Sequence, residues 1–374
     1  FFKKLGFVIT KLNFKNKFIK RYTDKKKLDT VFKNKFNFNK NVRFYFIEHH
    51  LAHISSAFYA SKFKDAIGIS IDGSGDFVSV MVAECNQKKI KIKKKIYFPH
   101  SLGIFYHAMT QFIGFKNFGD EYKVMGLASY GQPIYFEKLI NNLFLSKNND
   151  FKLNFKFFNH HKINFDYSHL NPVDVPNIFN EKLNILFKEE KNKCDYKTFN
   201  KNFASSVQKV YEFYFKKIIE SVAESQFSEN LVYAGGCALN SSANKYIISK
   251  SFNKKVFIPV APGDNGGSLG AAFYICKKKI IDNNFDDPFL GTSYKNGTVL
   301  SILKKYKDKI NITIFKNENE KYNKATSLLV NNGIIGWFQD KMEFGPRALG
   351  NRSILADPRN KNIKDLINLK IKKR

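Results

Sequence analysis

Apolar and polar residues change period several times along this chain, and each change marks an element. "RFYFI" (43–47) is a short apolar run that predicts a strand. "HHLAHISSAFYAS" (49–61) places small and apolar residues at helical spacing. "AIGISIDGSGDFVSVMVAE" (66–84) reads as strand, Gly-rich turn and strand, a hairpin with acidic residues at its tip. "KIKIKKKIYF" (89–98) predicts a further strand. Residues 138–200 are rich in Lys, Asn and Phe and read as an inserted helical and loop region. Residues 201–228 predict an amphipathic helix whose apolar face carries Phe203, Val207, Val210, Tyr211, Tyr214 and Ile218.

Two later segments repeat one grammar of strand, Gly-rich turn and helix. They are "NLVYAGGCALNSSANKYI" (230–247) and "KVFIPVAPGDNGGSLGAAFYIC" (255–276). "NGIIGWFQDKMEFGPRALGNRSILADPRN" (332–360) predicts a strand, a loop and a helix, and a basic helix follows in "IKDLINLKIKKR". Hairpins mixed with strand–helix units imply an α/β fold with mixed sheets. No run of about 18 apolar residues occurs, so no membrane-spanning helix is expected. The N-terminus lacks a continuous apolar signal core and does not begin with Met, so the chain is expected to be a fragment.

Composition changes this picture little. Cys85, Cys194, Cys237 and Cys276 form no CxxC pair, which argues against a zinc ribbon or disulfide scaffold and fits a reducing cytoplasm. The net charge of +31 invites a nucleic-acid partner. Yet Phe (40 residues), Asn and Lys are abundant together, as an A/T-rich coding bias would produce, and the lysines are scattered. Nucleic acid is therefore not expected as a partner, whereas an acidic or phosphorylated small substrate would suit such a field.

The candidate chemistry starts at "EHHLAH" (48–53). His49 and His53 stand four apart, one turn along a single helix face, where two imidazoles can chelate one metal. His50 points about 100° away. For the pair alone, a helix end with exposed histidines stays open as the plainer account. Asp72 in "SIDGSGD" and Asp264 in "APGDNGG" each end a strand, and two His with one or two carboxylates would suit divalent iron, manganese or zinc. Ordinary turn chemistry also explains each Asp. Gly235-Gly236 and Gly266-Gly267 would let backbone approach a phosphate at a helix start, or simply make tight turns. Arg347 and Arg352 in "EFGPRALGNRS" are framed by Gly345, Pro346 and Gly350, and such guanidiniums bind phosphate or carboxylate. "GDEYKVMG" gathers Asp120, Glu121 and Lys123, whose groups could hold an acceptor hydroxyl, act as a base, or form a structural ion pair.

Taken in order, "EHHLAHISSAFYAS", "SIDGSGD", "GDEYKVMGLASYG", "YAGGCALNSSAN", "APGDNGGSLGAAF" and "MEFGPRALGNRSILADPR" resemble the NodU/CmcH carbamoyltransferase family over residues 48–359. The resemblance implies a truncated lead-in (1–48), a duplicated α/β domain of the sugar-kinase, heat-shock-ATPase and actin type (49–280), and the start of a YrdC-like α/β domain (281–374). It implies O-carbamoyl transfer from carbamoyl phosphate, by way of an ATP-derived carbamoyl-adenylate, to a hydroxyl of a sugar or other small acceptor. It implies a divalent metal, iron first, held by His49, His53, Asp72 and Asp264. Gly73, Gly235, Gly236, Asn240 and Asn265 would line the nucleotide. Arg347 and Arg352 would bind carbamoyl phosphate, and Glu121 and Lys123 would be catalytic. A homodimer stays open. No "HDSSA"-like segment precedes residue 48 and no "REPFRPFAP"-like segment follows "NLKIKKR", so the acceptor and carbamoyl-phosphate sites are expected to be incomplete. A threonylcarbamoyl transferase acting on tRNA and an inactive nucleotide-binding remnant are the alternatives. "EFGPRALGNRS" favours the small-molecule family over the tRNA enzymes.

Overall fold

The structure, a computed structural model, describes residues 30–36, 42–145, 151–163, 176–223, 225–249, 254–277 and 287–373. It divides into residues 1–47 and residues 48–374. In the first unit residues 30–36 are helical, and the expected strand at 43–47 is absent. A strand needs a ladder partner to satisfy its backbone, and none of the described strands pairs with this run, whose Tyr45 and Phe46 are exposed.

The second unit holds the elements that build the site. They are α1 (His49–Ala60), β1 (Asp65–Gly75), β2 (Val78–Asn86), β3 (Ile90–Tyr97), α2 (Leu102–Phe112), α3 (Glu121–Leu127), α4 (Tyr196–Ala223), β4 (Asn230–Ala234), α5 (Ser241–Ile248), β5 (Lys255–Phe257) and α6 (Asp264–Cys276). The five strands form one mixed sheet in the order β3-β2-β1-β4-β5. β1 pairs antiparallel with β2 and parallel with β4, so the hairpin meets the first strand–helix unit at β1, and β5 of the second unit adds on beyond β4.

Side chains alternate across a strand, and β1 uses both faces. Ile67, Ile69 and Ile71 join a core with α2 and α4, where Phe203, Val207, Val210, Tyr211, Tyr214 and Ile218 are all buried as the helical pattern requires. Ala66 joins a second core with Ile54, Ala57 and Phe58 of α1 and Phe273 of α6. Helices thus cover both faces of the sheet. α1 and α6 cross closely at Gly270, where an added Cβ would lie 1.9 Å from the Ala52 carbonyl oxygen. That contact lays the N-terminal end of α6 alongside the first turns of α1.

Beyond residue 287 lie β6 (Ile335–Phe338) and β7 (Arg352–Leu355), an antiparallel pair in which Ile335 faces Leu355 and Phe338 faces Arg352. The helix expected after the "GPRALG" loop is therefore a strand. The buried Glu343 explains the change. Its Oε1 accepts the backbone N–H groups of Leu349, Asn351 and Arg352, which turns the loop back and delivers "RSIL" to β6.

Candidate metal and nucleotide site

Two acidic side chains fix where α1 begins. Glu48 caps it by accepting the Leu51 N–H at 2.8 Å, and the Asp76 carboxylate accepts the His49 N–H at 3.0 Å. Both satisfy donors that a helix start leaves unpaired. Asp76 gets there because Asp76 and Phe77 form a two-residue hairpin turn with φ of +47° and +64°. The same hairpin loses regular pairing between Ile71 and Gly75, and that irregular stretch carries Asp72.

His49 and His53 then point the same way. Their Nε2 atoms lie 3.0 Å apart, and each lies 3.0–3.1 Å from Asp72 Oδ2. Asp264, the first residue of α6, brings its Oδ1 to 3.5 Å from His49 Nε2 and 3.4 Å from His53 Nε2. The four donor atoms all fall within 4.8 Å of one another. His53 is buried, His49 and Asp72 are half-buried, and Asp264 is exposed. His50 belongs elsewhere: its ring is buried between the Ser70 hydroxyl and the Val78 carbonyl, each 2.8 Å away.

Electrostatics separate these groups further. Burial alone would lower the His53 pKa, but hydrogen bonds to Asp264 and Asp72 outweigh it and raise it to about 9. Burial would raise Asp72, and hydrogen bonds from His49 and His53 instead hold it far below the usual carboxylate range. Burial pushes His50 down to about 4. A positive charge is thus strongly favoured between the two carboxylates.

The donor set fits a divalent ion. Donors bonded at about 2.1 Å stand roughly 3.0 Å apart on an octahedral edge and roughly 3.4 Å apart on a tetrahedral one, close to the 3.0–3.5 Å contacts observed. Two imidazoles with carboxylates suit iron, manganese or zinc. One feature departs from a usual ligand shell: His53 Nδ1 is buried without a hydrogen-bond partner among the described residues.

The Gly-rich turns border this cluster. Gly73 donates its N–H to Asp72 Oδ1 at 2.6 Å. Gly235 adopts φ +95°, a conformation costly for other residues, and an added Cβ would lie 2.2 Å from the Ile71 carbonyl oxygen. At Gly236 a Cβ would lie 2.9 Å from Asp72 Oδ1, so this turn runs directly against the cluster. Asn265 is exposed beside Asp264 at the start of α6. Asn240 is engaged structurally: it caps α5 through the Ala243 N–H and exchanges two 3.0 Å hydrogen bonds with Gln208.

Arg347 reaches the same turn from the far end of the chain and donates to the Leu239 carbonyl. Its loop rests on the segment before Asp264, since a Cβ on Gly345 would lie 2.4 Å from the Val260 carbonyl oxygen. Arg352 turns inward, donating to Gly345 O at 2.7 Å and standing 3.8 Å from Glu343. Lys123 is paired with the buried Asp120 at 2.8 Å. Glu121 accepts from His107 Nδ1 at 2.5 Å, a partner that sequence reasoning missed. A lone His inside the apolar helix "LGIFYHAMTQF" gives no signal until α2 and α3 are placed together.

Residues 4–273 match the family model described as "Carbamoyltransferase N-terminus", and residues 326–374 match "Carbamoyltransferase C-terminus". An uncharacterized protein of Synechocystis is 33% identical over 339 residues, covering 88% of this chain and 53% of its own. Nodulation protein NolNO of Sinorhizobium fredii is 30% identical over 339 residues, covering 89% of this chain and 46% of its own. The chain spans about half the length of the curated relatives it matches. Among solved structures, HypF of T. kodakarensis superposes with a TM-score of 0.36 at 18% identity, over 67% of this chain and 38% of HypF, too loosely to argue from.

Proposed function

Because the chain belongs to the carbamoyltransferase family, we propose that it serves an O-carbamoyl transfer. The group would come from carbamoyl phosphate, pass through an ATP-derived carbamoyl-adenylate, and end on a hydroxyl of a sugar or other small acceptor. The observation that carries this reading is the convergence of His49, His53, Asp72 and Asp264 beside two Gly-rich turns and a helix N-terminus.

His49, His53, Asp72 and Asp264 hold one divalent ion, iron first. When bound, that ion supplies positive charge against phosphate oxygens and the charge that develops as AMP departs. The chain's own residues do the rest. The N–H groups at the start of α6 favour an anion there. The Gly235-Gly236 turn has no side chain to obstruct the phosphates, and Gly73, Asn240 and Asn265 border the nucleotide. Arg347, exposed at the same turn, keeps donors for phosphate oxygens of the carbamoyl donor, with Arg352 behind it. Glu121 and Lys123 stand on the acceptor side.

The test is carbamoyl-phosphate-dependent release of pyrophosphate from ATP by the complete gene product, with Fe(II), Mn(II) or Zn(II) supplied. Release that needs both substrates, followed by carbamoyl ester on an added hydroxyl compound, is expected. No release with any of the three metals would defeat the adenylate route.

A further inference from the structure

The proposed transfer needs a group that takes the acceptor's hydroxyl proton, and neither Lys123 nor Glu121 is free for it. Lys123 is held by Asp120, and Glu121 is engaged with His107. Glu121 can only accept when ionised, so His107 donates Nδ1–H to it, and the lone pair is left on Nε2. Nε2 makes no hydrogen bond to the described residues, and the ring is partly exposed.

The position of this pair relates it to the metal cluster. Gly103 lies one turn before His107 on α2 and abuts the metal-bearing loop: a Cβ there would lie 2.7 Å from Gly73 N and 2.9 Å from the Asp72 carbonyl carbon. Ser101 ties the same helix start to that loop by donating to Asp72 O at 3.0 Å. Residues four apart share a helix face, so His107 stands next along the face that touches Asp72–Gly73, about 6 Å further on. Glu121 reaches it from α3, close enough to the Gly236–Leu239 turn for its charge to act on Cys237. The exposed Phe118 ring, 6.2 Å from the His107 ring, borders the pair on another side.

We propose that His107 is the general base of the transfer step and that Glu121 is its positioning residue. This rests on the carbamoyl-transfer reading. His107 Nε2 takes the proton of the acceptor hydroxyl as its oxygen bonds to the carbamoyl carbon. The bond from that carbon to the AMP oxygen then breaks, and AMP leaves with the electron pair. The proton stays on the imidazolium until solvent removes it. Glu121 holds the tautomer and the aim of the ring throughout.

Two measurements test this. Diethyl pyrocarbonate acylates an accessible, unprotonated imidazole nitrogen, and peptide mapping reads each histidine separately. His107 is expected to react at least ~10-fold faster than the buried His50 and His160, and to do so at Nε2 while Glu121 is present. Equal rates overturn the assignment, whatever reaction the protein catalyses. In the transfer assay, with methyl β-D-glucoside and glycerol as probe acceptors, His107→Ala is expected to lose about 100-fold or more. It should keep one metal ion per chain as a check of folding, and added imidazole should restore part of the rate. Glu121→Ala should lower kcat for the same acceptor with little change in KM. Transfer by His107→Ala within ~3-fold of the unaltered protein, or no recovery with imidazole, overturns the proposal. If the unaltered protein carbamoylates neither probe, the carbamoyl-transfer reading fails on these acceptors, and the acylation rates decide the basic nitrogen alone.

Discussion

Residues 49–277 and residues 287–373 are built on different terms. The first region wraps two apolar cores around a five-stranded sheet, with rings such as Phe203, Phe215 and Tyr233 fully buried. In the second, the buried residues among those described are Glu343, Asp357 and Asn368, all polar, while Val299, Tyr322, Leu328 and Ile354 are exposed. One region is held by burial, the other by hydrogen bonds to a few carboxylates. The cluster of His49, His53, Asp72 and Asp264 sits wholly on the first. Arg347 is carried to the cluster's edge by the second, through a loop wound on Glu343. The difference teaches where precision resides: the four converging side chains stand on packed elements, whereas Arg347 hangs from a polar clasp.

The largest expected effect separates the two modes directly. Phe203 packs against Phe112, Phe187 and Phe199 with ring centroids 4.9–5.5 Å apart. Phe203→Ala should destabilise the protein by about 3–5 kcal/mol. Phe338→Ala, on the exposed face of β6, should change stability by roughly 0.5 kcal/mol or less. Denaturant titration of both variants checks this, and similar losses would erase the distinction.

Acid should probe the packed region next. Burial lowers the His160 pKa to about 4 even though its Nε2–H donates to Pro99 O at 2.8 Å. Its Nδ1 is buried with no hydrogen-bond partner among the described residues, so a second proton would have none of them to bond. The folded pKa lies below the ordinary value of 6.5, so stability from the neutral ring is whole above pH 6.5 and is lost as pH falls toward 4. Between those values the loss is on the order of 3 kcal/mol for this group. Unfolding midpoints against pH should fall more steeply in the unaltered protein than in His160→Gln. Parallel curves would show that this histidine carries no such penalty.

The metal cluster should respond on a comparable scale. His53→Ala removes a buried donor from the centre of the four-residue group and should weaken Fe(II) or Zn(II) binding at least ~100-fold, about 2.7 kcal/mol. His50→Ala, one residue from a ligand but turned to Ser70 and Val78, should leave metal content near one ion per chain while costing stability. Elemental analysis after dialysis distinguishes them, and equal retention in both would remove His53 from the ligand set.

How far the sequence carried these assignments depends on the range of the contact. The His49–His53 pair was legible because helix geometry alone puts residues four apart on one face. Asp72 was legible as an acid near a strand end, and Asp264, expected at a strand end, instead opens α6; their meeting with the histidines depends on β1 pairing with β4 and on α6 crossing α1 at Gly270, which no local pattern encodes. The helix expected over 201–228 was legible from its period, and the structure buries the predicted face, though the helix itself runs Tyr196–Ala223 and the chain turns over 225–228. The strand at 43–47 and the helix after "GPRALG" were misread for one reason. Short apolar runs take their state from a partner, and the first has none among the described strands while β7 has β6. His107 was invisible because its partner Glu121 lies 14 residues away, across a turn between two helices.

The smallest effect tests the polar clasp itself. Glu343 accepts three backbone N–H groups through one oxygen, and no apolar residue described in 287–373 is buried to help hold the loop closed. Removing it in Glu343→Ala should free the segment around Arg347 without loosening the sheet, because the cores of residues 49–277 do not include it. Trypsin cleaves after Arg, and cleavage of a briefly opened segment follows the population of the open form. Cutting after Arg347 should therefore quicken about 5- to 10-fold, which is ~1 kcal/mol of local opening, while the main thermal transition moves little. If the cutting rate stays the same, other contacts hold the loop. If the main transition falls with it, residues 287–373 are coupled to the core after all, and the two regions share one mode of stability.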